Sequence, residues 1–181
     1  MEYFEILNEF GEFTGKVASR EVAHKEGLWH KAVVVFIINA KNEILLQKRS
    51  ANKKLWPNMW DITAGGHVLK GEFGYEAIIR ETKEEVGINL NAKDLLFIGS
   101  TLSINTKDDI INKHFNEFYI AHKDIDLQDI TLDESEVAEV KYVTKEELLN
   151  LINNNYENLT SKKNCWDYLK KYLENQILIN E

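Results

Sequence analysis

"GGHVLKGEFGYEAIIRETKEEVGI", residues Gly65 to Ile88, sets a glycine pair before a helical pattern and crowds Glu81, Glu84 and Glu85 into five positions. Tyr75, Ile78, Ile79, Thr82 and Val86 recur at helical spacing, which predicts a core-facing stripe over Phe73–Val86, and Gly87 is a natural helix stop. The three glutamates fall together on one side, away from that stripe. Like charges three and four residues apart cost a helix roughly 0.2–0.5 kcal/mol per pair. Anions are also disfavoured at a helix C-terminus. Two local rules broken at once point to a functional site, and a hard divalent cation with oxygen ligands resolves both. Arg80, four residues from both Glu76 and Glu84, tempers the charge. The competing reading is a solvated acidic face.

Outward from this segment the pattern alternates between strands and helices. Phe4–Leu7 and Phe13–Ala18 read as a hairpin about a turn at Glu9–Glu12. KAVVVFIIN and EILLQKR are two strands joined at Ala40–Asn42. The apolar run Ala32–Ile38 is a buried strand, too short to span a bilayer. Pro57 marks a turn between Trp56 and Trp60; the two tryptophans either pack the base of that loop or stack on a ligand. Leu96–Ser103, His114–Ala121 and Val137–Val143 read as further strands. Thr144 and Glu147 form a capping box for a helix with Leu148, Leu149 and Ile152 on its apolar side. The Asn-rich stretch Asn150–Asn164 separates it from a last helix, Cys165–Ile179, carrying Trp166, Leu169, Tyr172, Leu173 and Ile177 at helical spacing. The fold class is therefore α/β or α+β, in a single domain over residues 1–181 with an N-terminal hairpin (1–19) and a C-terminal helix (160–181).

Bulk properties exclude several functions. A chain of 181 residues with 44% hydrophobic content folds as a globule. Its net charge of −8 repels phosphate backbones, so no nucleic-acid partner is expected. A small phosphorylated ligand stays open, because a bound dication inverts the local sign. The lone cysteine, Cys165, gives no disulfide framework and fits the reducing cytoplasm. The first ten residues lack a basic segment and a long apolar run, so neither a signal peptide nor a membrane partner is expected.

Read as a pattern, the segment is Gly66, five residues, Glu72, seven residues, Arg80-Glu81, Thr82, one residue, Glu84-Glu85, one residue, Gly87 and Ile88. At every fixed position it resembles the signature of the Nudix hydrolase superfamily. Chance would assemble these fixed residues in on the order of 1 in 10⁸ windows. The resemblance implies an α/β/α sandwich with a mixed sheet, and hydrolysis of a phosphoanhydride in a small-molecule diphosphate with Mg²⁺ or Mn²⁺. It implies that Glu81, Glu84 and Glu85 bind metal with the backbone carbonyl of Gly65, that Arg80 orients the carboxylates, and that Glu72 holds the loop to the helix. The general base varies within the family. Glu84, Glu117, Glu134 and Glu136 are candidates here, and Glu81, Arg80, Glu84, Glu117 and Glu136 make up the expected catalytic set.

From about Arg20 to Leu148 the chain is similar to a closer branch, the isopentenyl-diphosphate isomerases. There a cysteine before the Gly-His pair transfers the proton; here that position is Gly65. The isomerases bind metal through histidines and a pair of glutamates. His24, His30 and His67 survive in outline, whereas Phe115 replaces one glutamate and only Glu117 remains. Hydrolysis is thus preferred over isomerisation and over a non-catalytic ligand sensor. His67 and His30 are read as structural or substrate-lining, and His24 as a surface residue. By the same resemblance Arg20, Arg49 and Lys53, with His67, are expected to bind substrate. Many relatives are dimers, so a homodimer is one expectation.

Overall fold

The computed structural model describes residues 1–154, 156–160 and 163–175. Its elements are β1 (Tyr3–Leu7), β2 (Phe13–Ser19), α1 (Arg20–Glu26), β3 (Trp29–Ile38), β4 (Ile44–Arg49), β5 (Trp60–Asp61), β6 (Ala64–His67), α2 (Gly74–Val86), β7 (Leu95–Lys107), β8 (Ile110–His122), β9 (Val137–Val143), α3 (Lys145–Asn154) and α4 (Lys163–Asn175). All strands join one mixed sheet. β3 is its centre. Along its whole length β3 pairs in parallel with β8, from Trp29↔Lys113 to Ile38↔His122. Its other edge is shared end to end by three antiparallel neighbours: β1 at Trp29, β6 over Ala32–Val35, and β4 at Ile37 and Ile38.

The alternation of β3 explains its continuous apolar run. Val34, Phe36 and Ile38 pack with Phe118, Ile120 and the α3–α4 side chains Leu148, Ile152, Trp166, Leu169 and Leu173. Val33, Val35 and Ile37 pack on the opposite face with Ala77, Ile78 and Val86 of α2. A strand covered on both faces needs apolar residues at every position, and the result is the expected α/β/α sandwich. Phe4, Ile6 and Ala23 form a smaller cluster with Leu28 and Leu69, which seats the N-terminal hairpin and α1. No helix among the described residues is long and apolar enough to cross a membrane.

Several expectations need correction. The strand predicted at Leu96–Ser103 runs from Leu95 to Lys107, and its partner from Ile110 to His122, because the two form one long hairpin that extends past the core. Helix α1 has no apolar periodicity to betray it. It is set by Ser19, whose hydroxyl accepts from the Val22 N–H, and by Gly27 in the left-handed conformation. On α2 the buried side is Gly74, Ala77, Ile78, Thr82, Glu85 and Val86, while Tyr75 is exposed. The helix is thus rotated toward its acidic flank, and Glu85 lies on the buried side rather than apart from it. Glu76 does not pair with Arg80; it accepts from the Phe73 N–H and caps the helix. The capping box at Thr144 and Glu147 is present. Helix α4 is described to Asn175, so Ile177 lies outside the described residues.

Trp166 is fully buried against Phe36, and its indole N–H donates to the Thr160 carbonyl at 3.0 Å. Trp166→Ala is expected to cost about 3–5 kcal/mol, measured by urea denaturation. A loss below about 1 kcal/mol would show that α4 is not part of the cooperative core.

Candidate active site

The site is built where β6 meets α2. Gly65 and Gly66 pair with Val34 and Val33 of β3, and α2 crosses above them. A Cβ on Gly66 would occupy the place of the Glu81 carboxylate, so the bare backbone makes the recess in which that side chain lies. Gly65 donates its N–H to Glu85 Oε2 at 3.3 Å, and Gln47 Nε2 from β4 donates to the same oxygen at 2.8 Å. Glu85 is thereby oriented from two strands.

Arg80 organises the remaining carboxylates. Its Nε and Nη2 donate to the two oxygens of Glu72 at 2.9 and 3.0 Å, a bidentate fork. Nη1 donates to Glu81 at 2.7 Å and to Glu84 at 3.1 Å, and Nη2 also reaches the His67 carbonyl at 3.0 Å. Glu72 in turn accepts from the Leu69 N–H at 2.9 Å, which ties the loop to the helix. Burial alone would lower the Arg80 pKa, but the contacts to Glu72 and Glu81 outweigh it and raise it. Burial raises the Glu81 pKa, with Arg80 opposing and Glu84 adding to the rise. Glu84 is the exposed member, with 58% of its side chain accessible.

These groups face a broad open cleft of about 1890 Å³. Arg20, Arg49 and Lys53 line it too, each already engaged. Arg20 pairs with Glu2 at 3.1 Å. Arg49 contacts the buried Asp61 at 3.3 Å and the Leu55 carbonyl at 3.1 Å. Lys53 pairs with Glu136, which also lines the cleft. Trp56 reaches the cleft, whereas Trp60 packs against the α3–α4 layer with Lys141 Nζ 4.0 Å from its ring centre. Glu134 lies away, in a shallow surface depression with Ile130 and Leu132.

Glu117 is not brought to the box carboxylates. Its oxygens take Lys31 Nζ at 3.0 Å and the Tyr119 hydroxyl at 2.8 Å. Its carboxylate lies against Gly74, at the start of α2. Glu81 is seven residues further on, about 10 Å along the helix axis. Parity puts Glu117 on the α2 face like Gly66, but β8 and β6 flank opposite edges of β3, so Glu117 comes under the helix N-terminus while Gly66 meets Glu81.

Sequence analysis grouped His24, His30 and His67 only by resemblance and missed His114, the fourth member of the same cluster. His24 is not a plain surface residue. It converges with His30, His67 and His114, and one ring nitrogen or other ligand atom from each lies within 4.8 Å of the rest. His114 carried no signal beyond its place in a strand; the parallel register His30↔His114 puts it there.

The donors around α2 fit a hard dication. Three carboxylates and backbone oxygens of the β6 glycines offer an oxygen-only set, and the Gly66 recess lets Glu81 sit against the strand. Gly66→Ala is expected to leave the fold intact, because the displaced atoms are the end of a flexible side chain. Mn²⁺ affinity, followed by electron paramagnetic resonance, should fall about 10-fold or more. Unchanged affinity would remove Glu81 from the metal set.

A profile of the NUDIX domain matches residues 28–162. An uncharacterized Nudix hydrolase of Listeria monocytogenes is 39% identical over 148 residues, 82% of this chain and 83% of that protein. An isopentenyl-diphosphate Δ-isomerase of Escherichia coli is 31% identical over 98 residues, 54% of each chain. Among solved structures, a Deinococcus radiodurans protein at 20% identity superposes with a TM-score of 0.72, covering 94% of this chain and 98% of that one.

Proposed function

The chain belongs to the Nudix hydrolase family, and from that premise we propose that it is a Mg²⁺- or Mn²⁺-dependent hydrolase of a phosphoanhydride. The substrate is a nucleoside diphosphate linked to another group, or a related organic diphosphate. The observation that supports this reading is the cleft itself: Glu81, Glu84 and Glu85 line it together with Arg20, Arg49 and Lys53.

In the proposal Glu81, Glu84, Glu85 and the Gly65 carbonyl hold the dication. When bound, it screens the diphosphate and acidifies a coordinated water. Arg80 and Glu72 keep the carboxylates in register before metal arrives. Arg49 and Lys53 meet the phosphate oxygens, at the expense of part of their pairing with Asp61 and Glu136. Arg20 and His67 border the same space. The proton-accepting role goes to Glu84, the most exposed of the three and the one facing open cleft. Water gives its proton to this carboxylate and attacks one phosphorus in line; the anhydride P–O bond breaks and a phosphate-bearing group leaves. Glu136 stands as the alternative base, since it lines the cleft beside Lys53. The location that goes with this activity is the cytoplasm, where buried, unbridged Cys165 stays reduced.

Isomerisation is disfavoured at Gly65. A Cβ there would lie 2.6 Å from the Val33 carbonyl oxygen and 2.8 Å from Ile62 Cδ1, so the strand pairing leaves no room for a cysteine side chain. Proton exchange in deuterated solvent, read by NMR, should show no interconversion of the isopentenyl diphosphate isomers. Isomer formation at an enzyme-like rate would reverse the assignment.

Metal-free protein should release no phosphate or nucleotide from a panel of diphosphate compounds, and Mg²⁺ or Mn²⁺ should restore release. Full activity after exhaustive chelation would refute the proposal. Glu85→Gln should lower turnover by about 100-fold or more. Its amide keeps an oxygen for Gln47 and the Gly65 N–H, so metal-free stability should move by no more than about 1 kcal/mol. A large loss of metal-free stability would instead make Glu85 a structural residue.

A further inference from the structure

The chain has four tryptophans, and the fold holds three of them. Trp166 is fully buried in the core. Trp60 packs against the α3–α4 layer beneath Lys141. Trp29 lies tilted on Phe115, with centroids 5.2 Å apart, and carries Lys113 Nζ 5.7 Å from its ring centre. Trp56 differs. It joins none of the three core clusters. Among the described residues no other ring and no ammonium packs on its face. It is half-buried and lines the cleft, where it is the only Phe, Tyr or Trp among the described lining residues. An indole is a large apolar surface that normally finds a packing partner.

The backbone supplies a second observation. Trp56 has φ +50° and Asn58 has φ +60°, both left-handed, on either side of Pro57. A bulky residue rarely adopts this region, and a residue before proline is normally extended. Such conformations persist only where the surroundings over-determine them, and they gather where ligands are held. Here Arg49 provides the hold. Its N–H donates to the Met59 carbonyl at 2.9 Å, and its carbonyl accepts from the Asn58 N–H at 3.2 Å. Its Nε donates to the Leu55 carbonyl at 3.1 Å. The cation assigned to the phosphate oxygens thus also staples the loop that presents the indole. Lys53 stands three positions before Trp56, so one short segment, residues 49–56, delivers both cations and the ring to the cleft.

Resting on the phosphoanhydride reading above, we infer that Trp56 is the residue that selects the group beyond the diphosphate. Its indole is the stacking platform for a nucleobase, so the substrate is a nucleoside diphosphate derivative and not an aliphatic diphosphate. Every base has a π face, and an indole accepts it in offset stacking. A base is flat and polar at its rim, which suits one aromatic face set among polar neighbours. The lining beside Trp56 is of that kind: Asn52, Lys53, Lys54 and Leu55. An alkyl chain would have one ring to lie on and would stay largely in water. The stapled loop holds the ring in place before ligand arrives, so little freedom is lost on binding. The diphosphate would lie at Arg49 and Lys53, with the base on Trp56.

The test uses ligands that cannot be hydrolysed, because a P–C–P bridge replaces the anhydride. Full-length protein in Mg²⁺ is titrated by calorimetry with α,β-methylene-ADP, with methylenediphosphonate, and with a hexyl ester of methylenediphosphonate. The nucleotide should bind about 10-fold or more tighter than either of the others. Trp56→Ala should weaken the nucleotide by about 10-fold or more and leave methylenediphosphonate within about 2-fold. Trp56→Phe should keep most of the affinity while abolishing the tryptophan fluorescence change that the nucleotide causes in the wild-type protein. Tm of these variants should stay within about 3 °C of wild type, since the ring is outside the core. Should Trp56→Ala not fold, Trp56→Leu decides, because it keeps apolar bulk and has no π face. Equal affinity for all three ligands, tightest binding of the hexyl ester, or equal weakening of nucleotide and methylenediphosphonate in Trp56→Ala would each overturn the inference. Binding of the nucleotide through Trp56 with no hydrolysis of any diphosphate would count against the proposed activity alone.

Discussion

The register of β3 against its neighbours is the constraint from which the geometry of the cleft follows. Val33, Val35 and Ile37 face α2, and Val34, Phe36 and Ile38 face α3 and α4. The pleat carries the same parity to the strand's start, where Ala32 and His30 continue the second face. Pairing with β6 then sets Gly66 opposite Val33, so its missing Cβ opens toward α2, and sets His67 opposite Ala32. Pairing with β8 sets His114 beside His30 and Glu117 beside Val33. A slip of one residue would send every one of these side chains to the wrong face. The apolar residues of β3 make such a slip costly, because each face would lose its packing.

The acidic helix illustrates how like charges are held together on one helix. Glu81, Glu84 and Glu85 repel one another on α2, and each is held by a different means. Glu85 is fixed by neutral donors from Gln47 and Gly65, Glu81 by burial against Gly66 and by Arg80, and Glu84 by Arg80 alone. Arg80 can serve all of this because guanidinium offers five donors in a rigid fork. The fork to Glu72 fixes the plane, which leaves Nη1 for the carboxylates of Glu81 and Glu84. A lysine would present one mobile charge and could not span the loop and the helix together.

The basic side of the cleft follows the same logic. Arg49 rests on buried Asp61, which also accepts from Thr160 and the Ile62 N–H. Lys53 is tethered to Glu136. Both cations are pre-positioned by acidic partners, which lowers the entropy lost when a phosphate competes for them. In a chain of net charge −8 these few cations, and not the overall field, are what a diphosphate would meet under the proposed function.

Local spacing was enough to determine several things by itself. Ile78, Thr82 and Val86 at helical spacing, with Gly87 as the stop, made the α2 segment legible, and the spacing of Glu81, Glu84 and Glu85 made its acidic face so. The run Ala32–Ile38 announced a strand buried on both sides, and Thr144 with Glu147 announced the start of α3. Contacts between residues distant in the chain were not legible. Helix α1 depends on end caps rather than periodicity. The fate of Glu117 depends on its partner in β8–β3 pairing, and the tilt of Glu85 into the protein depends on how closely α2 approaches the β6 glycines. The four histidines are spread from position 24 to 114 with no common spacing. Resemblance grouped three of them, but only tertiary structure adds His114, because their meeting is fixed by which strands lie side by side and on which face each ring emerges, and no short-range pattern encodes that.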